Sequence, residues 1–150
     1  MRLHPDARRH FLLTLICVAL AMGWRLLATD AECADRLTWV QSLLDEGQVP
    51  VALGELQQMD QQLGARSDIV HLAGFATAAD EAFRMIRSRQ TEAVLAYLTG
   101  LQEAHGDQAL LHLLLGRAFR SRGQLKESRQ AIQRGRELAP QSQLLQQERL

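Results

Sequence analysis

Residues 109–142, ALLHLLLGRAFRSRGQLKESRQAIQRGRELAPQS, read as two amphipathic helices joined by a tight turn. In the first, Leu111, Leu114, Leu115, Ala118 and Phe119 are spaced by three and four, which sets them on one stripe at 3.6 residues per turn. A stripe of this kind has to be buried. Gly116 lies inside it with no turn-forming neighbours. A mid-helix glycine costs about 1 kcal/mol against alanine, so this one marks a close helix crossing rather than a hinge. Gly123 supplies the left-handed residue that ends a helix. Residues 124–139 then resume the period with Leu125, Ser128, Ile132, Gly135 and Leu138 until Pro140 stops it.

The spacing of His112, Leu115-Gly116, Phe119, Ser128, Ile132 and Pro140 resembles the tetratricopeptide repeat, a helix-turn-helix unit of about 34 residues. Leu-Gly, Phe and Pro match that pattern in kind. His112 stands where the pattern usually has Trp, Ser128 where it has Ala, and Ile132 where it has Phe, so the copy is degenerate. The resemblance implies an all-α fold, a short α-solenoid of about three helical hairpins, with a concave groove lined by the first helix of each unit.

Weaker copies lie upstream. Leu37, Val40, Leu43 and Leu44, with Trp39 beside them, form a helical stripe ending near Gly47, and Pro50 suits the first turn of a following helix over 50–63. That helix buries Ala52, Leu53, Leu56, Met59 and Leu63. On the repeat frame Trp39-Val40, Leu43, Gly47, Ala52 and Leu56 fall in step with Leu115-Gly116, Phe119, Gly123, Ser128 and Ile132. A middle unit pairs a helix over 68–87, striped by Ile69, Leu72, Ala76, Ala79, Phe83 and Ile86, with one over 91–104. There Thr91 is a candidate N-cap, and Ala93, Tyr97 and Gly100 match Ser128, Ile132 and Gly135. Ala52 and Ala93 are 41 residues apart but Ala93 and Ser128 only 35, so the first connection holds an insertion, either extra helical turns or a longer loop around 64–67. The expected units are 35–67, 68–108 and 109–142 of a domain over 35–150, with a terminal cap over 143–150 carrying Leu144, Leu145 and Leu150.

Residues 1–34 are of another kind. Arg2, Arg8 and Arg9 precede FLLTLICVALAMGW, an uncharged run over 11–24, which is the layout of a secretory signal peptide. Extending the run to Ala28 reaches the lower bound of about 17 residues for a spanning helix only by tolerating Arg25. A cleaved signal and a retained anchor are both compatible with these residues. Either places 35–150 beyond the membrane, in a periplasm if the short Arg-rich leader is bacterial, free or anchored at the inner membrane.

The chain has 17 basic and 17 acidic residues, which offers no net charge to a nucleic acid. His4, His10, His71, His105 and His112 lack metal-ligand spacing, Cys17 and Cys33 cannot staple the domain, and no phosphate loop or nucleophile motif occurs, so no cofactor, metal or catalytic residue is expected. Cys33 is a candidate for pairing between two chains. One charge feature stands out: Arg117, Arg120, Arg122, Lys126, Arg129, Arg134 and Arg136 are opposed within their span only by Glu127. These charges suit a solvated face of two surface helices, or contact with phosphates of anionic lipid; the repeat frame implies instead that Leu113, Arg117 and Arg120 face the groove, where arginines bind carboxylates of an acidic segment or chain end. The expected function is a non-catalytic scaffold or assembly factor of the cell envelope that binds a partner protein. A self-associating membrane-anchored subunit and an enzyme accessory subunit are the alternatives.

Overall fold

A computed structural model describes residues 30–148, so the leader reading, with Cys17, and the end of the cap at Leu150 lie outside the described residues. The chain divides into two compact units, Met1–Leu37 and Thr38–Leu150. In the first, the described residues 30–37 are helical and Cys33 is a free, buried thiol, 1% exposed. Pairing between chains needs an accessible sulfur, and Cys33 does not offer one. Among the described residues all regular structure is helical and no helix is long and apolar enough to cross a membrane.

Among the described residues seven helices follow in order: α1, described over 30–45, α2 Val49–Leu63, α3 Ser67–Arg87, α4 Thr91–His105, α5 Ala109–Ser121, α6 Leu125–Leu138 and α7 Gln143–Gln147. The turns α1–α2, α3–α4 and α5–α6 share one construction. Gly47 N donates to Leu44 O and Gln48 N to Leu43 O; Arg89 N to Ile86 O and Gln90 N to Met85 O; Gly123 N to Arg120 O and Gln124 N to Phe119 O. Each satisfies the last helical carbonyls with a left-handed residue, at φ of 71°, 59° and 75° for Gly47, Arg89 and Gly123. Only Arg89 fills that position without being glycine.

These turns fix the register of the second helices. The buried side chains of α4 are Val94, Leu98 and Leu101, which lie 34 residues before the buried Ser128, Ile132 and Gly135 of α6 and 42 after Ala52, Leu56 and Met59 of α2. Ala93 and Tyr97, expected to pack, are exposed, Tyr97 by 37%, because the frame on α4 is shifted by one residue. The insertion is resolved in the same way. α3 has 21 residues and α5 has 13, a difference of eight that equals the excess of 42 over 34. The extra residues are two added turns of α3, and the loop before it stays short. Thr91 is the first residue of α4 and Gln90 occupies the cap position, without a side-chain bond.

α5 is the centre of the second unit. Nine of its 13 residues, among them every one from Ala109 to Gly116, are buried, so this helix is covered on all sides over its first two turns. α6 crosses it at Gly116, where a Cβ would stand 2.5 Å from Ile132 Cδ1 and 3.4 Å from Ser128 O. Ser128 fills its place by donating its hydroxyl to Gly116 O at 2.8 Å. Of the other expected packing positions Ala52, Leu56, Leu115 and Ile132 are buried, Leu43 and Phe119 half-buried, and Pro140 is exposed. Trp39 is 48% exposed while its neighbour Val40 is fully buried.

An open array leaves its first and last units apart, since each repeat touches only its neighbours. Here the end of α1 meets α7. Ser142 Oγ donates to Asp45 O at 2.7 Å, and Glu46 accepts from the backbone of Gln143 at 2.9 Å and of Leu144 at 3.4 Å. Gln41 Nε2 also donates to Gln108 Oε1 at 3.1 Å. The described ends of this unit are therefore closed on one another.

Candidate functional site

The arginine-rich helices place two of their members together. Arg117 and Arg120 are three apart on α5 and emerge on the same side at its last turn. Arg117 donates through Nε and Nη2 to Glu148 Oε2 at 3.2 and 2.9 Å, and Arg120 Nη1 donates to Glu148 Oε1 at 2.9 Å. The Arg117 guanidinium lies 6.0 Å from the centre of the Phe83 ring on α3, at the outer limit of a cation–π contact. Both oxygens of one carboxylate are thus held by paired, planar donors, a geometry that only arginine supplies. The Glu148 side chain is 12% exposed, so the pairing is shielded from solvent on the acid's side, while the arginines remain about one-third exposed. Leu113, expected beside them on a groove, is fully buried and offers no surface to a partner, because α5 is enclosed.

Glu148 is delivered by a short segment with its own anchors. Ser142 caps α7 by accepting from Leu145 N at 3.3 Å. Leu145 is fully buried, its Cδ2 reaching to 3.0 Å from where a Cβ on Gly135 would be. Leu144 lies over Gly47, at 2.6 Å from the position of a Cβ there. Arg136 closes the other end by donating to Leu145 O at 3.0 Å and Glu148 O at 2.9 Å, a cation on carbonyls at a helix C-terminus. Leu144 and Leu145 of the expected cap are therefore engaged within the chain.

A second polar cluster gathers on Asp107 in the α4–α5 connection. Arg134 donates to it at 2.8 Å, His112 Nε2 stands 3.2 Å away, and Gln102 Nε2 donates at 3.3 Å. Those bonds, that from Arg134 foremost, lower the Asp107 carboxyl from 3.8 to about 2. The cluster ties α4, α5 and α6 to the connection between the first two. His112, at the position of the pattern's Trp, thus turns its buried ring to a polar partner. His105 packs at 4.6 Å from the His71 ring and 5.5 Å from Phe75, its pKa lowered by burial and then by His71.

Two further members of the arginine-rich stretch pair locally. Arg122 reaches Glu92 at 3.8 Å, and Arg134 also meets Glu137 at 3.3 Å. An apolar concavity of about 610 Å³ lies between α2 and α3, lined among others by Pro50, Leu53, Leu56, Ile69, Val70 and Ala73. Among the described residues no group of three or more His, Cys, Asp or Glu side chains is placed to hold a metal ion. Sequence reasoning missed Glu148, the acid of the site; its only signal is a glutamate three residues after a leucine pair. Compared with known proteins, the chain matches no family model, no curated protein and no solved structure.

Proposed function

We propose that this protein is a non-catalytic protein-interaction module, an assembly factor of the cell envelope. In this reading its domain consists of three tetratricopeptide-like hairpins, over 35–67, 68–108 and 109–142. It is exported or tethered by residues 1–34 so that the hairpins face the periplasm. The module recognises a carboxylate-bearing segment of a partner protein through Arg117 and Arg120. The observation that carries the reading is the convergence of these two guanidinium groups on both oxygens of one carboxylate. The hairpin assignment is supported by the three like turns and by buried positions recurring at 34 residues between α4 and α6, the length of that repeat.

The test is affinity capture of the tagged full chain from detergent-solubilised cells of its source, comparing wild type with Arg117→Glu/Arg120→Glu. Circular dichroism of both forms checks that helicity is kept. A partner set held by wild type and lost with the double variant supports the reading. An identical set from both forms removes the arginine pair from function.

A further inference from the structure

We propose that residues 142–148 are a built-in occupant of the Arg117–Arg120 site, and that they display the kind of segment it takes from a partner. That segment is a short helix with a serine at its cap, a buried leucine, and a glutamate three residues after the leucine. The inference rests on the reading of the arginine pair as a carboxylate-binding site, and adds what fills it and what regulates it.

The segment is held as a ligand is held. Its helix is only five residues long, below what a helix sustains alone, so its conformation comes from what it docks against. One apolar anchor, Leu145, is sunk at Gly135, and one charged anchor, Glu148, is gripped by two arginines. The backbone of the segment is read at both ends, by Glu46 on the amides of Gln143 and Leu144 and by Arg136 on the carbonyls of Leu145 and Glu148. An apolar anchor, an acidic anchor and main-chain bonds are what a groove needs to recognise a short helical peptide.

Tethering makes the occupant a regulator. A segment joined through a short connection meets its site at an effective concentration on the order of millimolar. A free segment of the same chemistry at micromolar concentration is therefore excluded until the tethered one is released. Release requires breaking the Glu148 bonds, and Glu148→Gln, which keeps the shape and removes the charge, weakens them directly.

The experiment uses a fluorescently labelled peptide, QSQLLQQERL, identical to residues 141–150. Fluorescence anisotropy measures its binding to the full chain in four forms: wild type, Glu148→Gln, Leu145→Asp/Glu148→Gln, and Glu148→Gln with Arg117→Glu and Arg120→Glu. Circular dichroism accompanies each. The expected result is that Glu148→Gln binds the peptide at least tenfold more tightly than wild type, the Leu145→Asp form at least as tightly, and the arginine-reversed form not measurably. Equal, arginine-dependent binding by wild type and Glu148→Gln overturns the built-in occupant while leaving the site standing. Absence of binding to every form, or binding indifferent to the arginines, overturns the site reading itself. If the Leu145→Asp form loses helicity, the comparison of wild type with Glu148→Gln alone decides.

Discussion

The Ser128 hydroxyl donates to the Gly116 carbonyl at 2.8 Å, at the place where α6 crosses α5. The glycine allows the two backbones to approach and the serine fastens them. At the same crossing the Ile132 side chain fills the space above Gly116. Gly116→Ala is therefore expected to destabilise the domain by about 1–3 kcal/mol, the cost of overpacking, partly offset by better helix propensity. In an Ile132→Ala background, itself costly, the added methyl should cost close to nothing because the atoms it strikes are gone. Urea unfolding of the two single variants and the double variant measures this coupling, and additive effects would refute the packing assignment.

Arg89 is held at φ of 59°, in the position that glycine occupies in the two like turns. A side chain in the left-handed region costs roughly 1–2 kcal/mol, and glycine regains most of it at some cost in unfolded-chain entropy. Arg89→Gly should raise stability by about 1 kcal/mol. A thermal melt checks it, and a lowered midpoint would mean that the Arg89 side chain supplies more than the turn requires.

Glu46 places its carboxylate on the first amides of α7. An acid at a helix N-terminus contributes about 0.3–1 kcal/mol, and a five-residue helix has little else of its own to hold it. Glu46→Gln should speed hydrogen exchange at Gln143 and Leu144 and leave exchange in α2 and α3 unchanged. Unaltered exchange at those two amides would show that the other anchors of the segment seat it without Glu46.

Asp107 is expected to make stability sensitive to acid. Its carboxyl is lowered from 3.8 to about 2, by Arg134 first and then by His112 and Gln102. A depressed folded pKa means that the unfolded chain binds the proton first as pH falls. The contribution is fully present above pH 4 and is lost as pH falls through about 2. Between these values the melting temperature of the wild type should drop more steeply than that of Asp107→Asn. Parallel curves for the two would locate the acid sensitivity elsewhere.

The helices of 109–138 were legible because their signal is local: leucines at three and four, a turn glycine and a closing proline all lie within one unit. α4 was read one residue out of step. Tyr97 is the largest side chain there and drew the frame, whereas the turn at Arg89 sets the register and buries Leu98 instead. A left-handed arginine gives no sequence signal of a turn. The arginine pair was legible as a cluster of charge, but its acid was not, because Glu148 is 31 residues from Arg117 and arrives on a helix too short to show a period. Leu113 was assigned to an open face by assuming neighbour-only packing, and closure of the unit between Asp45 and Ser142 lies beyond any local pattern.

That closure also imposes an order on synthesis. Each hairpin can set its own turn as soon as its second helix exists, but the Asp45 carbonyl waits for a serine 97 positions later. At 5–20 residues per second that wait lasts about 5–20 s. Throughout it, the backbone above Gly47 stands uncovered, and the niche at Gly135, once made, stays open until Leu145 arrives. A nascent chain halted before residue 142 is thus a folded set of hairpins with an open seam, and any binding factor that acts during synthesis meets this protein in that unsealed form.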